Sequence, residues 1–327
     1  MMKAIVVTEF GGPEHMKFVE MEMPQIQPKQ VLIRVEKTSV NFADIKSRYG
    51  KKGAGKLPFI PGLDVAGVIA QVGPEVQHFQ PGQRVVAFPA SGTYAEYVVA
   101  SEDLTFALPD SIDFDTAAAS PVVSFTSYKL LADVARLVPG ETVLVHAAAG
   151  GIGTTAIQLA KLLGAGKVIG TVGSESKAEI SREAGADHVI CNDTEDFTAK
   201  VNELTDGAGA DVILDSISGE VSERSMECLA WYGRLVHFGN ASGEVGTIKT
   251  IDLHASCRSV LGFSFGTTRN KRPQLLQDTA EKVFQYLVDG SLNIKIGRRF
   301  ALEDAASAHA WVESRQSTGK VLLDVRK

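Results

Sequence analysis

The chain has 327 residues, 44% hydrophobic and 22% charged, the make-up of an ordinary soluble globular protein long enough for two domains with separate cores. A formal net charge of −6 without long basic runs argues against nucleic acid as a main partner. No apolar stretch is long enough to span a bilayer, so no membrane partner is expected.

The segment Met1–Phe10 reads as a strand and a turn rather than a signal peptide. Short strand patterns follow in the N-terminal third, at Met2–Glu9, Gln30–Val40, Val65–Val72, Gln83–Pro89 and Tyr94–Ala100, separated by Gly/Pro turns such as Gly11-Gly12-Pro13 and Pro81-Gly82. This predicts an antiparallel β domain with small helices. The middle of the chain changes character. Apolar runs at Thr142–His146, Lys167–Val172, His188–Cys191, Asp211–Asp215, Arg234–Phe238 and Ser259–Phe263 are mostly continuous, as parallel strands covered on both faces are. Helix patterns lie between them at Ile152–Leu163, Ser176–Ala184, Glu195–Leu204 and Glu220–Leu229. The C-terminal end adds a helix, Gln274–Asp289, then strand, helix and strand. The last strand, Lys320–Val325, is expected to return to the N-terminal domain. The predicted organisation is residues 1–122 and 264–327 in one domain, with 123–263 inserted as the other. Cys191, Cys228 and Cys257 are scattered and odd in number, which fits small buried side chains in a reducing cytoplasm better than disulfides.

The first strand of the middle segment stops in Ala147-Ala148-Ala149-Gly150-Gly151-Ile152-Gly153 and then becomes a helix. A turn of small residues at a helix N-terminus lets backbone N–H groups approach a pyrophosphate, where a Cβ would hold it away. Six alternating strands place this turn first in a complete Rossmann sheet, its phosphate-binding position. Ala147 stands where the common fingerprint has its first glycine. In NAD-binding halves an acidic residue about 20 positions on bonds the adenosine ribose. Here the second strand ends in Gly173 and Ser174, with Lys177 and Arg182 beyond. A hydroxyl and a cation suit a 2′-phosphate, so the expected cofactor is NADPH. The plainer alternative makes Ser174 a helix cap and Lys177 a solvated cation, and an inward Glu175 would favour NAD.

Further markers are Asn41-Phe42-Ala43-Asp44, Gly62-Leu63-Asp64-Val65-Ala66-Gly67, Asp215-Ser216, Phe238-Gly239-Asn240, and Glu313-Ser314-Arg315 before Gly319-Lys320. With the glycine turn they make the chain similar, nearly end to end, to the medium-chain dehydrogenase/reductases. It most resembles their zinc-independent NADPH:quinone oxidoreductases, the zeta-crystallin-like group. The resemblance implies an α/β fold: a GroES-like, antiparallel β-rich catalytic domain plus a six-stranded doubly wound Rossmann domain. It also implies a homodimer, with the run Arg258–Phe265 at the edge of the sheet.

Catalytic zinc needs three protein ligands and an open position. Zinc-dependent relatives carry Cys where Asn41 stands and Gly-His-Glu where this chain has Gly62-Leu63-Asp64. Leucine cannot ligate, no third Cys lies near Pro121–Thr126, and the four-Cys lobe is missing. Asp252, His254 and Cys257 lack a fourth partner. No metal is expected.

By resemblance, Asn41 and Asp44 lie near the nicotinamide ribose and substrate, and Thr126 supplies a hydroxyl near the nicotinamide. As plain residues they read as turn residues and a helix N-terminal hydroxyl. Ala147, Gly150, Gly151, Ile152, Gly153, Gly173, Ser174, Lys177, Ser216, Phe238, Gly239 and Asn240 are the remaining matches along the cofactor. The chain departs from the group in two places. A Tyr two residues after Asn-x-x-Asp is Lys46 here, with Tyr49 as a nearby substitute. A Tyr near the adenosine phosphate is replaced by Asn192, which leaves Lys177 and Arg315 or Lys320 with more of the phosphate binding. His146 and His237 read as core or near-cofactor groups, whereas His309 shows no visible partner.

The expected reaction is metal-free hydride transfer from NADPH to a quinone or α,β-unsaturated carbonyl, whose oxygen takes up the negative charge. A quinone is electrophilic enough to take its proton from water, which matches a sequence without a compelling acid–base pair. Two alternatives stay open. Lys51, Lys52 and Lys56 suit the phosphate of an enoyl thioester as well as a solvated loop, and an NADPH-binding protein with a structural or regulatory role would carry the same motifs.

Overall fold

The computed structural model describes residues 1–51, 56–89 and 92–326. The chain divides into two units, Met1–Phe125 with Thr268–Gly290 and Ile294–Lys327, and Thr126–Thr267 with Ser291–Asn293. Among the described residues no helix is long and apolar enough to cross a membrane. Lys52, in the lysine-bearing loop, lies outside the described residues.

The first unit holds strands β1 (Met2–Val7), β2 (Met16–Met21), β3 (Gln30–Val40), β4 (Val65–Val72), β5 (Arg84–Ala87), β6 (Tyr97–Ser101) and β7 (Thr105–Ala107). The second holds β8 (Thr142–Val145), β9 (Lys167–Val172), β10 (His188–Cys191), β11 (Ala210–Asp215), β12 (Leu229–His237) and β13 (Ser259–Gly262). The first unit is completed by β14 (Ile296–Ala301) and β15 (Lys320–Asp324).

β1 and β2 form an antiparallel pair, and the main sheet of the first unit runs β14-β15-β3-β4-β5-β7, with β6 also on β3. Every pairing in it is antiparallel except β14 with β15. Val31, Ile33, Val35, Val65, Ile69 and Val85 fill one side of this sheet. Two registers position the chemistry. β3 pairs with β4 so that Thr38 opposes Val65, which sets Asp64 beside Ser39. β15 pairs with β3 so that Val321 opposes Val40, which sets Lys320 beside Asn41.

The second unit is a parallel sheet in the order β10-β9-β8-β11-β12-β13, the 3-2-1-4-5-6 order of a complete dinucleotide-binding fold. Leu144, Ile169, Ile190, Ile213 and Leu235 are buried from five successive strands and pack with Phe197 and Val201 of the helix Phe197–Leu204. This double coverage is why the strands read as unbroken apolar runs.

Several boundaries differ from the sequence reading. The helix expected over Glu220–Leu229 ends at Ser225, because Leu229 already opens β12. The helix expected from Ser176 begins as a 3₁₀ turn, Glu175–Lys177, and continues as Ala178–Glu183. β2 is a strand where none was expected, and Asp252 and His254, expected in a linker, lie on the short helix Thr250–His254. Cys191 and Cys228 are buried, but Cys257 is exposed, against the expectation of three buried thiols.

A tight backbone constraint at the turn is Gly153, in the first turn of the helix Gly151–Leu162. A Cβ there would lie 2.4 Å from the Ala147 carbonyl oxygen and 2.6 Å from Ala148 backbone atoms. Neither neighbour is a flexible side chain. Gly153→Ala is expected to destabilise the second unit by about 1–3 kcal/mol, the usual range for overpacking. Thermal unfolding checks this, and an unchanged midpoint would show that the turn can open.

Candidate active site

In the first unit β3 ends at Val40, and Asn41 caps the helix Phe42–Arg48. Asp44, Ile45 and Arg48 share its buried face, as residues three and four apart must on a helix. The Asn41 N–H donates to Asp44 Oδ2 at 2.8 Å, and Asn41 Nδ2 donates to Asp64 Oδ1 at 2.9 Å. Ser39 Oγ also donates to Asp64 Oδ1, and the Val122 N–H donates to Asp64 Oδ2, at 2.8 and 3.2 Å. Lys320 Nζ donates to Asn41 Oδ1 at 2.7 Å and to the Val40 carbonyl at 3.2 Å. Beyond Asp44 lie Tyr94, His309 and Arg48, and Arg48 Nη2 reaches both oxygens of Glu313 at 2.8 Å. Asn41, Asp44, Asp64, Tyr94, Arg48, His309 and Lys320 are all buried.

Burial raises the Asp44 carboxyl to about 7, with Asp64 adding to the rise, against the opposing Asn41 N–H, Lys320 charge and Tyr94 hydroxyl. Burial lowers the Lys320 ammonium, against the opposing charges of Asp64 and Asp44. Burial and the Arg48 charge hold the His309 imidazole down at about 3, so it is neutral near pH 7. Asp44 Oδ1 is buried and has no hydrogen-bond partner among the described residues. An unpaired buried carboxyl oxygen is costly unless it is protonated or meets a ligand.

In the second unit β8 ends at Val145 and His146, and Ala147 takes a left-handed φ of 53°. That conformation explains the glycine of the common fingerprint. Ala147 is exposed, so its methyl carries local backbone strain without a packing clash. Gly150 caps the helix, and the amides of Gly151, Ile152 and Gly153 are first-turn donors without acceptors inside a helix. His146 is a core residue, bonded to Thr171 Oγ1 and Ser225 Oγ at 3.0 Å each, and burial lowers it to about 4.

At the end of β9 a Cβ on Gly173 would meet nothing within 4 Å, so the backbone there is open to a ligand. Ser174 Oγ lies 3.0 Å from Ser176 Oγ, Lys177 is half-buried, and Asn192 is exposed just past β10. Glu175 pairs with Arg182 at 3.3 Å, and both side chains are largely exposed. The Ala241 N–H donates to the Ser216 carbonyl at 2.9 Å, so Phe238, Gly239 and Asn240 run beside Ser216 at the carboxyl ends of β11 and β12. Thr126 is buried, and its Oγ1 has no hydrogen-bond partner among the described residues. An open glycine turn, a hydroxyl with a cation and an orphaned threonine hydroxyl fit a phosphorylated dinucleotide.

A family model described as "Alcohol dehydrogenase GroES-like domain" matches residues 27–110, and one described as "Zinc-binding dehydrogenase" matches residues 151–281. A quinone oxidoreductase of Pseudomonas aeruginosa is 38% identical over 329 residues, covering 99% of each chain. The chain belongs to the quinone oxidoreductase family of medium-chain dehydrogenase/reductases. A 2-haloacrylate reductase of Burkholderia is 33% identical, again covering 99% of each chain. The solved structure of an Escherichia coli quinone oxidoreductase complexed with NADPH superposes with a TM-score of 0.91 at 33% identity, covering 98% of this chain and 99% of that one.

Within this family frame the structure changes some assignments. Lys320 was expected to help bind the cofactor phosphate. It is corrected to an internal partner of Asn41, because its ammonium is buried and already bonded. Tyr49 is 40% exposed, stacks on the Arg48 guanidinium at 4.7 Å, and is held above its ordinary range chiefly by Glu313. It therefore stands with the outer Arg48–Glu313 pair. Arg315 is exposed. Tyr94, Arg48 and His309 were missed as partners of Asp44, and Asp64 was read only as part of a family marker. Among the described residues no group of three or more His, Cys, Asp or Glu side chains is arranged to hold a metal ion.

The raised Asp44 pKa has a thermodynamic sign. Between about 3.8 and about 7 the folded chain holds a proton that the unfolded chain has released, so this group's contribution weakens as pH rises through that window. Asp44→Asn removes the term. Its melting temperature relative to the parent protein is expected to climb between about pH 5 and pH 8. A constant offset across that range would show that Asp44 ionises normally.

Proposed function

We propose that this protein transfers hydride from NADPH to a quinone or an α,β-unsaturated carbonyl without a metal. The full-length likeness to quinone oxidoreductases carries this reading, and the likeness to a 2-haloacrylate reductase extends it to activated alkenes. Bound NADPH supplies the hydride. The chain's own residues bind, orient and protect.

The second unit is assigned to the cofactor, and the first to the substrate side. The first-turn amides at Gly151, Ile152 and Gly153, with Ala147 and Gly150, form the pyrophosphate cradle. Ser174 and Lys177 hold the 2′-phosphate, with Gly173 and Asn192 beside them. Ser216, Phe238, Gly239 and Asn240 border the nicotinamide half at the carboxyl ends of the strands, where such sheets bind ligands. The unpartnered Thr126 hydroxyl is assigned to the nicotinamide. Asn41 and Asp44 face the substrate, and Tyr49 belongs to its outer surroundings.

The direct test follows NADPH absorbance with 1,4-benzoquinone and 9,10-phenanthrenequinone, with a chelator and with NADH as controls. Oxidation of NADPH that is unaffected by chelator is expected, and NADH is expected to react more slowly. Crotonyl-CoA consumed faster than any quinone would instead identify an enoyl-thioester reductase. NADPH binding without turnover of any acceptor would leave a non-catalytic role. Lys177→Ala is expected to weaken NADPH binding by about 1.5–3 kcal/mol, roughly ten- to a hundredfold, while NADH binding holds. An equal loss for both cofactors would remove Lys177 from the phosphate site.

A homodimer is proposed through β13. This strand has β12 as its one neighbour in the sheet and is half-exposed along most of its length, so its outer edge is free to pair with a second copy. Light scattering after size exclusion should give the mass of two chains, and a single-chain mass would overturn the pairing. The proposed compartment is the cytoplasm, where three unpaired thiols persist.

A further inference from the structure

Two features at the end of β9 favour different dinucleotides. Glu175 lies about 20 positions beyond the glycine turn, where NAD-binding halves carry the acid that bonds the adenosine ribose. Lys177, close behind it, suits a 2′-phosphate instead. Ser174 Oγ and Ser176 Oγ lie 3.0 Å apart, so the hydroxyls on either side of Glu175 converge. The Glu175 carboxylate is held elsewhere. Arg182 Nη2 donates to Glu175 Oε1, and Arg182 Nη1 donates to Glu179 Oε2, both at 3.3 Å. Positions 175, 179 and 182 are spaced by four and three, so one helical face carries all three side chains. Glu175 first, then Glu179, holds the Arg182 guanidinium above its ordinary range.

The Glu175 and Arg182 side chains are 73% and 48% exposed, so their pairing adds little to stability. Its effect is on local charge. The segment 175–183 carries three glutamates, Glu175, Glu179 and Glu183, against two cations, Lys177 and Arg182. Arg182 contacts two of those acids. Without it, Lys177 would be the segment's single cation against three carboxylates.

We propose that the Glu175–Arg182 pair sets the cofactor preference, with Arg182 as the positioning residue. Arg182 keeps the Glu175 carboxylate away from Ser174 and Ser176 and offsets its charge. The two hydroxyls and Lys177 are then left to receive a 2′-phosphate. With Arg182 removed, Glu175 repels that phosphate, and its carboxylate can accept from the adenosine ribose hydroxyls of NADH. The role of Arg182 is this offset and not a contact with the phosphate, since both Nη nitrogens already donate to glutamates. The inference rests on the NADPH reading above and concerns the second unit alone.

The test is calorimetric binding of adenosine 2′,5′-bisphosphate, 5′-AMP, NADPH and NADH to the parent protein, Arg182→Gln, Glu175→Gln and the double variant. No turnover is involved. Arg182→Gln should weaken the bisphosphate and NADPH about three- to tenfold, the size of one charge acting on a nearby dianion through solvent. 5′-AMP and NADH should bind as before or more tightly. Adding Glu175→Gln to Arg182→Gln should return NADPH to within about twofold of the parent, because the acid to be offset is gone. Glu175→Gln alone should bind NADPH no more weakly than the parent. A double variant no better than Arg182→Gln overturns the proposal and makes Arg182 a direct phosphate ligand. An equal loss of NADPH and NADH in Arg182→Gln overturns it as well. At about 1 M salt, where the Debye length is about 3 Å, the NADPH difference between parent and Arg182→Gln should fall below about twofold. A difference that persists there rules out a charge offset. A parent protein that binds the bisphosphate no tighter than 5′-AMP would sink the NADPH reading itself. A parent that prefers the bisphosphate, with Arg182→Gln unchanged from it, removes only the role of the pair.

Discussion

A lysine ammonium shut away from water must find its compensation on the spot, and the first unit is arranged around that requirement at Lys320. The strand that carries it pairs with β3, and the pairing leaves Nζ against Asn41 Oδ1 and the Val40 carbonyl. Asn41 in turn binds Asp64 through its amide and Asp44 through its backbone N–H. One buried cation thus sits among groups that also interact with two buried carboxyls. Breaking such a set leaves an uncompensated charge in a low dielectric, which destabilises far more than the loss of a surface pair. The site is therefore rigid for the same reason that the unit is stable.

Within that set the two acids are treated differently. Asp64 accepts three donors, from Asn41, Ser39 and Val122. Asp44 has one satisfied oxygen and one orphan. Burial without a full set of donors is why the Asp44 carboxyl is raised to about 7.

The second unit works by backbone instead. For the proposed pyrophosphate site its turn needs no charged side chain, because first-turn N–H groups and the helix dipole favour an anion there. What it needs is room, and Gly153 and Gly173 provide it in different ways. At Gly153 a side chain would collide with the turn itself, whereas at Gly173 the space beside the backbone is open. At the end of β9 Glu175 pairs with Arg182, and Ser174 and Lys177 are the groups proposed above to discriminate between dinucleotides.

Local chemistry was legible in the sequence. Continuous apolar runs marked the parallel strands, and the bounds of β3 and β4 could be read as they stand, since their apolar residues lie between clear turns. The small-residue turn announced the helix N-terminus. β12 was read too short, because exposed Trp231 and Tyr232 and then Gly233 interrupt its apolar run even though the backbone ladder continues. The site followed the same division. Asn41 and Asp44 stand three apart at a helix start and could be seen together. The bond from Lys320 to Asn41 joins residues 279 positions apart, and that from Tyr94 to His309 spans 215. No periodicity links such pairs. They meet because strand registers and helix faces bring them together, and burial then turns ordinary residue types into a bonded network. The chain by itself determined most of the strand segments, the small-residue turn at a helix N-terminus and the family's dinucleotide chemistry. The tertiary structure alone decided that Lys320 is buried and which oxygen of Asp44 is left without a partner, because each depends on desolvation and on neighbours distant in sequence.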